Sequence, residues 1–117
     1  MADNKQKGTL GENLAAGFLT ENGYSIIERN YRIRNAEIDI IAEKNGVIAF
    51  VEVKYRKNNA LGTPAEAVNM AKQKKIISAA LSFIAANGDN NDYRFDVCEV
   101  TPSGINYIED AFRIQEF

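Results

Sequence analysis

Asn45-Gly46 is the strongest constraint on this chain. The pair stands between two short apolar segments, residues 36–42 and 47–55, and Asn-Gly is a preferred filling for a two-residue hairpin turn. With that turn Lys44 pairs with Val47. Counting along both strands then sets Asp39 opposite Glu52 and Glu37 opposite Lys54. Strand alternation puts these four side chains on one face, together with Ile41, Ile48 and Phe50, so the face is expected to be partly covered. Directly opposed residues have Cβ atoms roughly 4.5–5.5 Å apart, where like charges destabilise the pair. Two carboxylates held so close must share a proton or a cation. The bland alternative is a half-solvated hairpin with a Glu37–Lys54 ion pair across it. A three-residue loop would move Asp39 off the Glu52 face.

The rest of the composition narrows what such a site could be. The 117 residues contain no histidine and one cysteine, Cys98. That excludes His-dependent triads, His-ligated metals, internal disulfides and a cysteine-based zinc site. A bound metal must therefore be a hard cation held by oxygen, meaning Mg²⁺, Mn²⁺ or Ca²⁺. The formal net charge is −2. Its distribution is uneven: residues 29–75 hold ten Lys and Arg against five Asp and Glu. The basic middle is thus the segment that carries the opposed acids. At this length the chain is expected to form one domain over residues 9–117, preceded by a disordered polar tail, residues 1–8. It shows no secretory or membrane-spanning run, which points to the cytoplasm and away from membranes.

Helix and strand signals give the order α-β-β-β-α-β-β. Thr9-x-x-Glu12 has capping-box spacing, Leu10, Leu14 and Phe18 recur every four residues, and Asn22-Gly23 closes the helix. Residues 24–34 read as extended, with Tyr24, Ile26 and Ile27 inward. The hairpin follows, and then a polar loop, residues 57–63. Thr63-Pro64-Ala65-Glu66 has the signature of a second helix start, and Gly88 ends that helix. Residues 93–100 and 105–109 are two further strands around a Thr-Pro-Ser-Gly turn. An α/β sandwich with a mixed sheet accommodates this order.

The arrangement Asp39 … Glu52-Val53-Lys54 resembles the PD-(D/E)xK motif of restriction-endonuclease-like folds. With "GENLAAGFLTENGYSIIERNYR", "AEIDIIA", "FVEVKYR", "LGTPAEAV" and "RFDV", residues 8–117 resemble the bacterial YraN family of uncharacterised predicted endonucleases. That family is in turn similar to archaeal Holliday junction resolvases. The resemblance implies a three-layer sandwich, its mixed β-sheet flanked by helices, and a divalent-metal-dependent endodeoxyribonuclease using Mg²⁺ or Mn²⁺. It makes Asp39, Glu52 and Glu12 ligands, with the Val53 carbonyl completing the shell, and Lys54 the group that orients the attacking water. Glu12 also has the capping box as a purely structural explanation, and Glu37 is expected to support charge opposite Lys54. The family usually has glycine where this chain has Ala36, which would be strained if the backbone there needs a glycine-only conformation. DNA, including branched DNA, and a homodimer are implied as partners by the same resemblance.

The second helix carries a separate signal. Ala65, Val68, Ile76, Ala79 and Phe83 fall in one stripe at 100° per residue, and Lys72 falls inside it. A lysine on a core-facing stripe snorkels to a rim, here expected to be the active-site cleft, where Lys72 would reach a phosphate. Arg29, Arg32, Arg34, Arg56, Lys57 and Lys75 are candidate backbone-phosphate contacts, which give affinity without sequence choice. Asp96 is expected to be structural, bonded to a neighbouring basic residue. Two alternatives stand beside the nuclease reading: a nucleic-acid-binding module of the same fold that barely cleaves, and an interaction protein whose basic segment is only solvated.

Overall fold

The structure is a computed structural model and describes residues 4–56, 68–88 and 91–114. The elements are α1 (Asn4–Glu21), β1 (Ser25–Ile33), β2 (Ala36–Lys44), β3 (Val47–Tyr55), α2 (Met70–Asn87), β4 (Asp92–Thr101) and β5 (Gly104–Phe112). This is the expected α/β order, and the five strands form one mixed sheet with spatial order β1-β2-β3-β4-β5. Only β3 and β4 are parallel. A parallel neighbour needs a crossover, and α2 lies within it.

Local chemistry explains the tight connections. Asn45 and Gly46 have φ of 52° and 79°, the two positive values that a type I′ turn requires, and Lys44 pairs with Val47 as expected. A second two-residue turn, Arg34-Asn35, joins β1 to β2, with Asn35 at φ 70°. The left-handed position there belongs to Asn35. Ala36 is the first residue of β2, paired with Ile33 and outside the positive-φ set, so its methyl group meets no backbone strain.

The central strand β3 is buried on both faces, as a partly parallel sheet covered by helices requires. Ile48 and Phe50 enter one core with Ile76, Ala79 and Phe83 of α2. Ala49 and Val51 enter the other with Ala15 and Leu19 of α1. The result is a three-layer sandwich: helix, sheet, helix.

Several boundaries differ from expectation. Helix α1 begins at Asn4, so Asn4–Gly8 extend the helix and Thr9 is an interior residue, not an N-cap. Its packing stripe is Gly11, Ala15 and Leu19, while Leu10 (52% exposed) and Leu14 face outward. Small residues let the helix lie close: an added methyl at Gly11 would already touch Tyr55 and Val53 at 3.7 Å. Ile27 is exposed because the β1–β2 register shifts between Ile26 and Glu28, turning its side chain out of the core. Helix α2 starts at Met70 with Asn69 as N-cap, its Oδ1 accepting from the Lys72 amide at 2.9 Å, so Val68 lies before the helix and not on its stripe. Lys57 and the Thr63–Glu66 helix signature lie outside the described residues.

On the α1 face, Asp96 is fully buried and structural, as expected. It accepts two hydrogen bonds from Arg94 at 2.8 Å, one from the Tyr107 hydroxyl at 2.5 Å and one from the Asp110 amide at 2.9 Å. Arg94 in turn donates to Tyr24 at 2.6 Å. One carboxylate thereby ties β4, β5 and the start of β1 together.

Candidate active site

Among the described residues the β2–β3 ladder runs from Lys44–Val47 to Ile40–Val51 and ends there. At the next position the side chain of Asp39 takes over from the backbone. Its Oδ2 accepts a hydrogen bond from the Val53 amide at 2.8 Å. The parting strands leave room between them and α2, an open cleft of ≈ 740 Å³ lined in part by Arg32, Glu37, Asp39, Glu52, Lys72 and Lys75.

Asp39 and Glu52 both line this cleft, as the hairpin register requires. Asp39 titrates far above an ordinary carboxylate, pushed up to about 8. Burial is the main cause, followed by the charge of Glu52 and, more weakly, that of Glu12; the Val53 amide pulls the other way. A buried acid pair of this kind holds a proton at neutral pH unless a cation replaces it.

Glu12 reaches the same place from α1. Oxygens of Glu12, Glu37 and Asp39 lie within 4.8 Å of one another. Because Thr9 is inside the helix, a capping box no longer accounts for Glu12. Instead Arg29 approaches it at 3.9 Å and bonds Asn13 at 2.7 Å. Asn30, in the amide orientation that satisfies both neighbours, donates to Glu37 at 2.9 Å and to Glu12 at 3.0 Å.

Glu37 does not sit opposite Lys54. It pairs across the other hairpin with Arg32, at 3.0 Å, because the β2–β3 ladder has already ended while the β1–β2 ladder continues to Ile33–Ala36. Lys54 lies beside Lys72. Its ammonium is held below the ordinary lysine value, first by burial and then by the charge of Lys72, against the pull of Glu52.

Lys72 is where its helical register puts it. It stands one turn before Ile76, and its Nζ is 2.6 Å from Glu52 Oε1. Burial works against its charge, but the hydrogen bond to Glu52 and that carboxylate's field more than offset it, so its pKa is raised. Packing fixes this geometry from behind. Phe83 of α2 meets Phe50 and Tyr31 edge-on, at 5.9 and 5.6 Å between centroids.

The remaining basic candidates divide. Arg32 and Lys75 line the cleft, and Arg34 is exposed on the β1–β2 turn. Arg29 instead braces α1 against β1, and Arg56 pairs with Glu99 of β4 at 2.9 Å without lining the cleft. Asn30 was absent from the sequence-based candidates. Its φ of 55° is the only mark of its special position, and a sequence does not display it.

These donors suit a hard divalent cation. Asp39 shares the cleft with Glu52 and clusters with Glu12 and Glu37, all oxygen donors, and among the described residues no histidine or cysteine joins the cluster. Among the described residues no helix is long and apolar enough to cross a membrane.

Residues 11–100 match the model of "Uncharacterised protein family UPF0102". A UPF0102 protein of Chloroherpeton thalassium is 45% identical over 126 residues, covering 97% of this chain and 98% of its own. One of Alkaliphilus metalliredigens is 47% identical over 112 residues, with 92% and 98% covered. One of Caldicellulosiruptor bescii is 48% identical over 116 residues, again with 92% and 98% covered.

Proposed function

The chain belongs to the uncharacterised protein family UPF0102, and from that premise we propose that it is a divalent-metal-dependent endodeoxyribonuclease. The observation that carries this reading is the buried Asp39–Glu52 pair, whose mutual repulsion a cation would relieve. Asp39, Glu52, Glu12 and the Val53 carbonyl would hold Mg²⁺ or Mn²⁺. Such an ion activates water and offsets charge on a phosphodiester. The protein's own residues do the rest. The Val53 amide aims Asp39. Lys54, its proton loosened by burial and by Lys72, orients the attacking water and offsets charge developing on the phosphate. Lys72, Lys75, Arg32 and Arg34 hold neighbouring phosphates. The expected products carry a 5′-phosphate and a 3′-hydroxyl.

Branched DNA is one substrate of this reading, since symmetric incision of a junction needs two such sites, which a homodimer would supply. The alternative is a DNA-binding module that barely cleaves, toward which the net charge of −2 and the glycine replaced by Ala36 both lean. The ordinary conformation of Ala36 removes only backbone strain from its grounds. Nicking of supercoiled, linear and four-way-junction DNA with Mg²⁺ or Mn²⁺ tests the proposal. Cleavage by the wild type that disappears in Glu52→Ala and Lys54→Ala supports it. Salt-sensitive binding without cleavage would favour the binding module.

A further inference from the structure

We propose that Lys72 is an exchangeable counter-ion: it occupies a ligand oxygen of Glu52 until a divalent cation arrives, then moves into the cleft to bind DNA phosphate. This rests on the metal-dependent reading above and adds to it a coupling between cation and DNA binding.

Three observations carry the exchange. Lys72 Nζ sits 2.6 Å from Glu52 Oε1, on the carboxylate that a cation shared with Asp39 would need. An ammonium and a divalent cation cannot both occupy that oxygen without strong repulsion. Second, the two partners differ in freedom. The Glu52 side chain is 5% exposed on a strand buried on both faces, whereas the Lys72 side chain is 43% exposed and hangs on a flexible stem. Ile76, Ala79 and Phe83 anchor α2 in the core, so the stem can move while the helix stays. Third, the direction of movement is set. On the strand side the like charge of Lys54 repels Lys72. The outer side is the cleft lined by Lys75 and Arg32, where a phosphate would lie.

The exchange makes an unusual forecast. Removing Lys72 should strengthen cation binding while weakening the help that the cation gives to DNA. Mn²⁺ affinity of the full chain is measured by electron paramagnetic resonance for the wild type, Lys72→Ala, and Lys75→Ala as a control that removes the same charge without touching Glu52. Lys72→Ala is expected to bind Mn²⁺ several-fold tighter, on the order of threefold to tenfold, and Lys75→Ala to change by less than about twofold. Four-way-junction affinity is then compared in Ca²⁺ and in chelator. The cation should raise wild-type affinity about tenfold and that of Lys72→Ala about twofold or less. Lys72→Gln replaces the alanine variant should alanine disturb α2. Unchanged or weaker Mn²⁺ binding in Lys72→Ala, or an equal gain in Lys75→Ala, overturns the exchange alone. A wild type that binds no cation removes the metal reading itself, and the exchange with it.

Discussion

The Val53 amide donates to Asp39 Oδ2 at 2.8 Å, just beyond Ile40–Val51, the last backbone pair between β2 and β3. A side chain therefore completes what the ladder leaves open, and the carboxylate is aimed at Glu52 by the same bond. Structure and site use one residue. Asp39→Asn keeps an acceptor for Val53 but removes the charge that opposes Glu52. Its metal-free form should be more stable than wild type at neutral pH by thermal unfolding, while cation affinity falls at least about a hundredfold, more than loss of a supporting contact would cost. Asp39→Ala removes the acceptor as well and should lose about 1–3 kcal/mol of stability for the unpaired amide.

The raised pKa of Asp39 gives a pH dependence with a definite sign. Its folded value, about 8, is above its ordinary value of 3.8. The stabilisation it contributes is therefore complete below pH 3.8 and is lost as pH rises through 8. Groups facing it are Glu12, Glu37 and Glu52, with Lys72 and Lys54 beyond. In the metal-free protein the Asp39 share of stability should decline from pH 3.8 to about 8, and Asp39→Asn should remove that decline. Cation binding should release a proton, so affinity should rise by up to about tenfold per pH unit until Asp39 is ionised. Calorimetry in buffers of different ionisation enthalpy counts the protons released.

The Asp96 network should matter to stability alone. Asp96→Ala strands the Tyr107 hydroxyl and takes the buried partner from the Arg94 guanidinium, which keeps Tyr24, and should cost about 3–5 kcal/mol, read by denaturant unfolding. Tyr107→Phe removes one hydrogen bond and should cost about 1–2 kcal/mol. Cation affinity of whatever remains folded should be that of the wild type, because none of these groups lies in the cleft.

Basic groups in the cleft and on the neighbouring β1–β2 turn should contribute affinity without specificity. Lys75→Ala and Arg34→Ala should each weaken DNA binding about equally across unrelated sequences. Each should lower the slope of log affinity against log salt by about 0.9, the share of one phosphate contact. Arg56→Ala should leave that slope unchanged, since Arg56 is engaged with Glu99.

How much of this could be read beforehand follows from how local each signal is. Asn45-Gly46 dictates register, so the meeting of Asp39 and Glu52 was legible two strands deep. The 100° periodicity of α2 placed Lys72 at the cleft for the same reason. The Glu37 partner was not legible. Arg32 and Lys54 both lie within reach of Glu37 by strand counting, and where the β2–β3 ladder ends decides between them. That end depends on tertiary packing of the sheet. The Ile26–Glu28 register shift and the left-handed Asn30 arise in the same way, from contacts between strands distant in sequence. Thr9-x-x-Glu12 shows the opposite failure: the local capping pattern is present, but the helix continues through it.

Cleavage of an end-labelled four-way junction under single-turnover conditions, by wild type and Glu52→Gln side by side, tests the nuclease reading most directly. Mg²⁺- or Mn²⁺-dependent incision by the wild type, leaving 5′-phosphates and abolished by chelator and by Glu52→Gln, is the predicted result. Equal cleavage by Glu52→Gln, or none by the wild type with either cation, would contradict it.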